Sequence, residues 1–361
     1  MFFSKEEIKK ELEDNIKFLS SISVEENTLY HKWVDINREK WIPKQFLTIQ
    51  KVKNNLWKPN NLNDYLKIKP KLIVVNNKEN TLIWKILRIF TCTATFKGLI
   101  GRQVKFIVID EPTGMYLGVI CLSSDMTSIG GRDKVIGWTS EHKKKGMLNH
   151  TLIGSSIVPT QPLGFNYVGG KLLALLAVSD EAIAACDAKY KEKVVGITTT
   201  SLYGGFSQYT RLKYWKKCST SLGKIPLAYD SNTKANIRTY FKLLFPKEWL
   251  IAKNASHASV AIPYRFNKLM NIKTPNNNMK RGVYWCPLYE NSNKFLRMET
   301  KDLGKKRFKN SIKDLTDLWK EIYAKKRIKK NLDFAYQLFY DDLYQSEWKY
   351  VTEKYLKDVG R

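Results

Sequence analysis

The stretch from Thr151 to Trp215 gathers the residue types from which a binding or reactive site can be built. A β-branched run, Thr151–Pro159 (TLIGSSIVP), leads through a Pro/Gly linker to Asn166-Tyr167-Val168-Gly169-Gly170-Lys171 and then into an Ala/Leu-rich segment. The first turn of a helix exposes unpaired N–H groups and partial positive charge, and glycines let a phosphate approach the backbone. A lysine in that turn adds a formal charge. Asn166, Gly169, Gly170 and Lys171 are therefore expected to form an anion site, with a pyrophosphate as its ligand. The alternative is that two glycines only let a helix lie close to a strand, and a lone Gly-Gly-Lys does not decide between them. Some forty residues on, Thr198–Tyr209 (TTTSLYGGFSQY) places hydroxyls and two glycines where a strand stops, a favoured place for sites in open α/β sheets. Tyr203 and Tyr209 can act as general acids or orient an amine, and Ser207 can donate to a developing oxyanion. For the tyrosines the alternative is packing, and for Ser207 it is a helix cap. If the two stretches meet at neighbouring strand tips, they form one polar hollow.

Other chemistry is sparse. Arg132-Asp133-Lys134 precedes Val135-Ile136-Gly137-Trp138 and reads either as a salt-bridged turn or as a second wall of the same cleft, carried by Arg132 and Asp133. The histidines His31, His142, His150 and His257 lie far apart, and the cysteines Cys92, Cys121, Cys186, Cys218 and Cys286 never form a CxxC pair. No zinc motif can be written and no disulfide framework is expected. There is no GxSxG nucleophile elbow. Asp341-Asp342 reads as a solvated helix face.

These residues need elements to position them. Ser4 and Glu7 form a capping box for a helix carrying Ile8, Leu12, Ile16 and Leu19. An aromatic-rich stretch with Tyr30, Trp33, Trp41 and Phe46 follows, and Thr81–Thr95 fits a buried helix. Gln103–Asp110 and Met115–Ser124 flank the turn Glu111-Pro112-Thr113-Gly114 and predict a hairpin. Residues 125–150 look irregular. A strand at Thr151–Pro159, one long helix from Gly169 to about Tyr190, a strand at Val194–Thr200, a short helix at Ser207–Lys217 and a helix near Ala235–Leu244 complete an α/β (α+β) core. Residues 245–300 look like loops. Leu315, Leu318, Trp319, Ile322 and Tyr323 put an apolar stripe on a basic helix. The expected organisation is a helical N-terminal extension (1–94), a core (95–245) and a basic, aromatic-rich, mainly helical C-terminal region (246–361).

Length and charge bound the partners. The 361 residues include 43% hydrophobic ones, near the globular norm. No apolar run reaches the ~18–20 residues of a bilayer crossing, and the first residues lack the pattern of a secretion signal. A reducing cytoplasm is the expected location, with no membrane partner. Sixty-two Lys plus Arg against 34 Asp plus Glu give a net charge of +28. An AT-rich genome inflates Lys, yet it also raises Glu, and the excess here is one-sided. Between Lys301 and Lys330 stand 12 cations and 4 acids, a local net of +8. DNA is therefore the expected partner, with Lys143, Lys144, Lys145, Lys305, Lys306, Arg307, Lys325, Lys326 and Arg327 on its phosphates.

Arg132-Asp133-x-x-Ile136-Gly137-Trp138, then Asn166-x-x-Gly169-Gly170-Lys171, then Thr199-Thr200-Ser201-x-Tyr203-Gly204 with Ser207-Gln208-Tyr209, resembles in this order the family typified by the DruA protein of Druantia anti-phage systems. The similarity spans roughly residues 95–245. That family is distantly similar to the Mom adenine-modification proteins of phages. The resemblance implies a core related to the GNAT acyltransferases, in which a glycine-led helix binds the pyrophosphate of acyl-coenzyme A. Here Asn166 stands at the first position of that loop and the glycines are adjacent, which departs from the GNAT pattern. It also implies transfer of a small acyl or carbamoyl-type group to a nucleobase amine, in the manner of phage DNA protection, with iron a further implied cofactor. The residues themselves supply no ligand cluster for it. A non-catalytic DNA-binding component of a defence system and a protein that merely neutralises DNA are the competing expectations.

Overall fold

The computed structural model describes residues 4–21, 43–91, 101–164, 168–201, 207–222, 229, 231–255, 258–273 and 280–333. Seven strands form one mixed sheet: β1 (Pro70–Val74), β2 (Gln103–Asp110), β3 (Tyr116–Ser124), β4 (Thr151–Pro159), β5 (Gly196–Thr200), β6 (Lys216–Leu222) and β7 (Lys280–Pro287). Their spatial order is β1-β2-β3-β4-β5-β7-β6. Every neighbouring pair is antiparallel except β4 and β5, which run parallel. The expected hairpin is β2–β3, closed by the turn after Asp110. Asp110 fixes that turn by accepting from the Thr113 hydroxyl and from the backbone N–H of Lys69. The sheet reaches past both ends of the 95–245 core, because β1 comes from before it and β7 from after it.

Helices cover both faces. On one side lie α5 (Val168–Leu176), α6 (Asp180–Tyr190), α10 (Ile312–Trp319) and α11 (Lys325–Asp333), packed on Phe106, Val108, Ile120, Leu122 and Ile197. All of α5 is buried except Lys171. A helix apolar all round needs cover on every side. The sheet supplies one side and α10 another, with the Trp319 indole N–H donating to the Val168 carbonyl at 2.8 Å. The long helix expected over Gly169–Tyr190 is two helices, because Ser179 caps the second by accepting from the Ala182 N–H. On the opposite side α3 (Lys78–Thr91) packs on Ile107, Val119 and Cys121 together with α2 (Phe46–Asn54). Further along the same side, α4 (Gly130–Ile136) packs beside Trp138 and Trp285.

A separate apolar cluster joins α1 (Lys5–Ser21), α7 (Ser231–Leu244), α8 (Pro246–Lys253) and α9 (Ala258–Leu269) through Ile8, Leu12, Phe241 and Phe266. The Ser4–Glu7 capping box is present. Two expectations are corrected here. Ser207–Lys217 is a turn leading into β6 rather than a helix, and the segment read as loops between 245 and 300 holds α8, α9 and β7. Tyr30, Trp33, Trp41 and Asp341-Asp342 lie outside the described residues.

Candidate functional site

The parallel pair is where the sheet opens. β4 and β5 pair only from Thr151 to Ile153 against Gly196 to Thr198, although β4 runs on to Pro159. A bulge in β4 at this point shifts its register against β3 between Cys121 and Leu122. Beyond Ile153 the carbonyls of β4 lose their neighbouring strand, and buried carbonyls need donors. Side chains supply them. The Thr199 hydroxyl donates to the Gly154 carbonyl at 3.0 Å, and the Gln208 amide donates to the Ile157 carbonyl at 2.9 Å and to the Tyr209 hydroxyl at 3.0 Å. Tyr209 is buried, with its ring 5.1 Å from that of Tyr284 and 5.2 Å from that of Trp215. Ser207 donates to the Tyr284 hydroxyl at 3.1 Å and accepts from the Tyr209 N–H, so it caps the turn.

The glycine pair and the serine–tyrosine stretch do meet here. A Cβ on Gly170 would lie 2.7 Å from the Gln208 side chain, and one on Gly169 would lie 2.4 Å from the Leu163 carbonyl. Both glycines thus serve close packing. The Lys171 ammonium donates to the carbonyls of Gln208 (3.1 Å) and Thr210 (2.6 Å) and lies over the Tyr323 ring. Burial and the neighbouring Arg327 lower its pKa to about 8. These residues do not fit a pyrophosphate. The side of α5 that the glycines leave bare is filled by Leu163 and Gln208, and Lys171 already gives its protons to backbone carbonyls. Asn166 and Tyr203 lie outside the described residues.

Arg132 and Asp133 are not the second wall of this hollow. Successive residues of a strand face opposite ways. Thr199 of β5 points to Tyr209, so Thr198 points to the other face, where its hydroxyl donates to Asp125 at 2.9 Å. Asp125 there pairs with Arg132 at 2.6 Å. Arg132, fully buried, also binds Asp133 at 2.7 Å and the Met126 carbonyl at 2.9 Å, and lies over the Trp138 ring. Asp133 in turn binds Lys143 at 2.8 Å. The rest of the Arg-Asp-x-x-Ile-Gly-Trp signature is equally structural. Gly137 adopts a left-handed φ of 81° to end α4, and its N–H and that of Trp138 both return to the Asp133 carbonyl. The Trp138 indole donates to the Leu296 carbonyl at 2.7 Å.

The expected phosphate contacts are divided by the sheet. Lys143 belongs to the Arg132 cluster, Lys145 pairs with Glu141 at 2.7 Å, and Lys144 sits between them in the same short helix, Ser140–Lys144. Lys325, Lys326 and Arg327 begin α11 on the other side, next to Lys171, where Lys325 pairs with Glu321. Lys305, Lys306 and Arg307 are exposed in the strand-like segment before α10, with Lys306 on Asp180 at 2.5 Å. Among the described residues no group of three or more His, Cys, Asp or Glu side chains is placed to hold a metal ion. The ligand set that iron would need is not found there. No helix of the described residues is long and apolar enough to cross a membrane.

Sequence reasoning missed Asp125 and Tyr284, and it placed Thr199 and Gln208 in the right stretch without giving either a role of its own. Asp125 follows the end of a strand with no motif around it, and Tyr284 comes from a strand some 75 residues beyond Tyr209.

The model of the family described as Druantia protein DruA matches residues 28–298, well over half of the chain. The Druantia protein DruA of Escherichia coli (strain UMEA 4076-1) is 29% identical over 125 residues, which cover 31% of this chain and 30% of that protein. The chain therefore matches less than a third of that relative's length. No solved structure matches. With the signature residues at 132–138 and 166–171 inside the matched span, the chain belongs to the DruA family.

Proposed function

We propose that this chain is the DNA-contacting component of an anti-phage defence system of the Druantia kind. The observation that carries the reading is the one-sided excess of cations, +28 over the chain, with a local net of +8 over Lys301–Lys330, which runs from the exposed stretch before α10 into α11. Those helices are anchored on the core by Leu315, Trp319 and Ile328, so their lysines are presented from a fixed support. Family membership supports the defence setting. A GNAT-related core is part of the proposal. It is supported by the succession of hairpin, strand, glycine-led helix and parallel strand, and by the parting of β4 from β5.

A second reading, group transfer to a nucleobase amine, draws on the hydroxyls of Thr199, Ser207, Tyr209 and Tyr284 gathered at that parting. An enzyme acting on a base amine must hold the base out of its stack, and the opening between β4 and β5 is bridged by Gln208 and Tyr209. The binding reading is therefore preferred. The test is to measure DNA affinity of the wild type, Ser207→Ala and Tyr209→Phe, and to analyse by mass spectrometry the nucleosides of DNA from cells producing each of the three. The binding reading expects unchanged affinity and ordinary nucleosides. An altered nucleoside that vanishes in either variant would establish the transfer reading instead, and a wild-type chain that fails to retain DNA would remove both.

A further inference from the structure

The turn Ser207–Trp215, between β5 and β6, holds two non-glycine residues in left-handed backbone, Arg211 (φ 56°) and Tyr214 (φ 74°). L side chains disfavour that conformation, so the surroundings must fix it. They do so on three sides. Leu212 and Trp215 are buried, and the Trp215 indole donates to the Ala174 carbonyl at 3.1 Å. The Tyr323 hydroxyl accepts from the Lys213 N–H at 2.7 Å and donates to the Arg211 carbonyl at 3.3 Å. Arg211 and Lys213 are left exposed, and Tyr214 is half-buried.

The Tyr214 ring lies flat on Phe308, with centroids 3.8 Å apart and planes 8° from parallel. Aromatic pairs in proteins favour offset or edge-on contact, whereas a parallel face-to-face stack is the arrangement nucleobases use. The Lys213 ammonium stands 5.5 Å from the Tyr214 ring centroid. Phe308 directly follows Lys305-Lys306-Arg307 and precedes Lys309. On the other flank, Lys171 and Arg327 crowd each other beside Tyr323. Of the acids nearby, Asp180 holds Lys306, whereas Asp314 accepts from the Ser311 hydroxyl at 2.5 Å and sets a carboxylate near Tyr214. A flat aromatic step thus lies between two rows of cations.

A duplex presents phosphates and has no unpaired base to lay on a ring. Rings set among cations fit a single strand, whose bases stack while its phosphates are held on either side. We propose that Tyr214, backed by Phe308, is a stacking step for an unpaired base of single-stranded DNA, with Arg211, Lys213 and Arg327 holding the flanking phosphates. This rests on the DNA-binding reading and adds to it the state of the strand and the residues that sense it.

The test is fluorescence anisotropy of the full chain with a labelled oligothymidine, the same oligothymidine annealed to its complement, and an oligouridine. Tyr214→Ala is expected to weaken single-strand binding about tenfold, equivalent to about 1.4 kcal/mol, and duplex binding less than about twofold. Because Tyr214→Ala also opens a packing gap, Tyr214→Leu keeps apolar volume without a π-face and should behave like it, while Tyr214→Phe should match the wild type. Equal loss for both DNA forms, no loss for either, or wild-type behaviour of Tyr214→Leu would overturn the stacking step while leaving DNA binding standing. Much tighter binding of oligouridine than oligothymidine would overturn the assignment to DNA. A wild-type chain that binds no probe would remove the DNA-binding reading as well.

Discussion

Arg132→Met asks how much of this fold depends on one buried charge. Arg132 is fully buried and joins Asp125 at 2.6 Å, Asp133 at 2.7 Å and the Met126 carbonyl at 2.9 Å. Methionine keeps an unbranched apolar stem but lacks the guanidinium, so it is shorter and uncharged. Asp133 retains Lys143, but Asp125 is left buried with no cation, accepting only from the Thr198 hydroxyl and the Met126 N–H among the contacts described. Breaking a buried ion pair by removing one partner costs about 3–5 kcal/mol, and the surviving Lys143 contact places the expected loss at about 3–4 kcal/mol within that range. With an unfolding entropy of about 2 cal/mol/K per residue over 361 residues, the melting temperature should fall by about 4–5 °C. Urea denaturation followed by tryptophan fluorescence measures the loss directly. Adding Asp125→Leu removes the orphaned carboxylate and should restore at least half of it, since an apolar replacement of a buried pair is often neutral. A single variant within about 1 kcal/mol of the wild type, or a double variant less stable than the single one, would refute the idea that this cluster pins α4 to the sheet.

Four other expectations follow from particular positions. Gly169→Ala places a Cβ 2.4 Å from the Leu163 carbonyl and should destabilise by about 2–3 kcal/mol in the same urea assay, as overpacking does. Gly130→Ala, with nothing within 4 Å, should be close to neutral. Burial and Arg327 hold the folded Lys171 pKa at about 8 against 10.5 for the free side chain. Between those values the unfolded chain binds a proton that the folded chain has released, so stability should rise with pH across that window, and the rise should flatten in Lys171→Met. Removing the amide of Gln208 with Gln208→Leu strands the Ile157 carbonyl and should cost about 1–3 kcal/mol in thermal melts.

The hairpin β2–β3, strand β4 and the apolar stripe on α10 were legible because each carries its own pattern: β-branched runs around a Pro-Gly turn, or leucine and tryptophan at helical spacing. β6 was not. Lys216-Lys217-Cys218-Ser219 has no alternation, since β6 is an edge strand and edge strands carry lysines that discourage further pairing. β7 was hidden for a different reason. Its run Val283-Tyr284-Trp285-Cys286 is buried on both faces, so it lacks the in-and-out alternation of a half-buried strand, and its partners β5 and β6 lie far away in sequence. At the site, the convergence of Gly170 with Ser207–Tyr209 could be anticipated from two strand ends. What the glycines face could not, because Leu163 and Gln208 are brought there by the fold. The opposite placing of Arg132 and Tyr209 follows from the alternation of Thr198 and Thr199, a rule that applies only once β5 is located.

The most direct test of the central claim, that this basic chain holds DNA through the cations of its C-terminal helices, is the salt dependence of duplex affinity. Binding constants would be measured from about 50 to 300 mM salt for the wild type and for a variant combining Lys325→Ala, Lys326→Ala and Arg327→Ala. Each phosphate contact contributes about 0.9 to the slope of log K against log salt. DNA held by these three cations requires a steep wild-type slope that flattens by up to about 2.7 in the variant. A wild-type slope near zero, or a variant slope equal to that of the wild type, would contradict it.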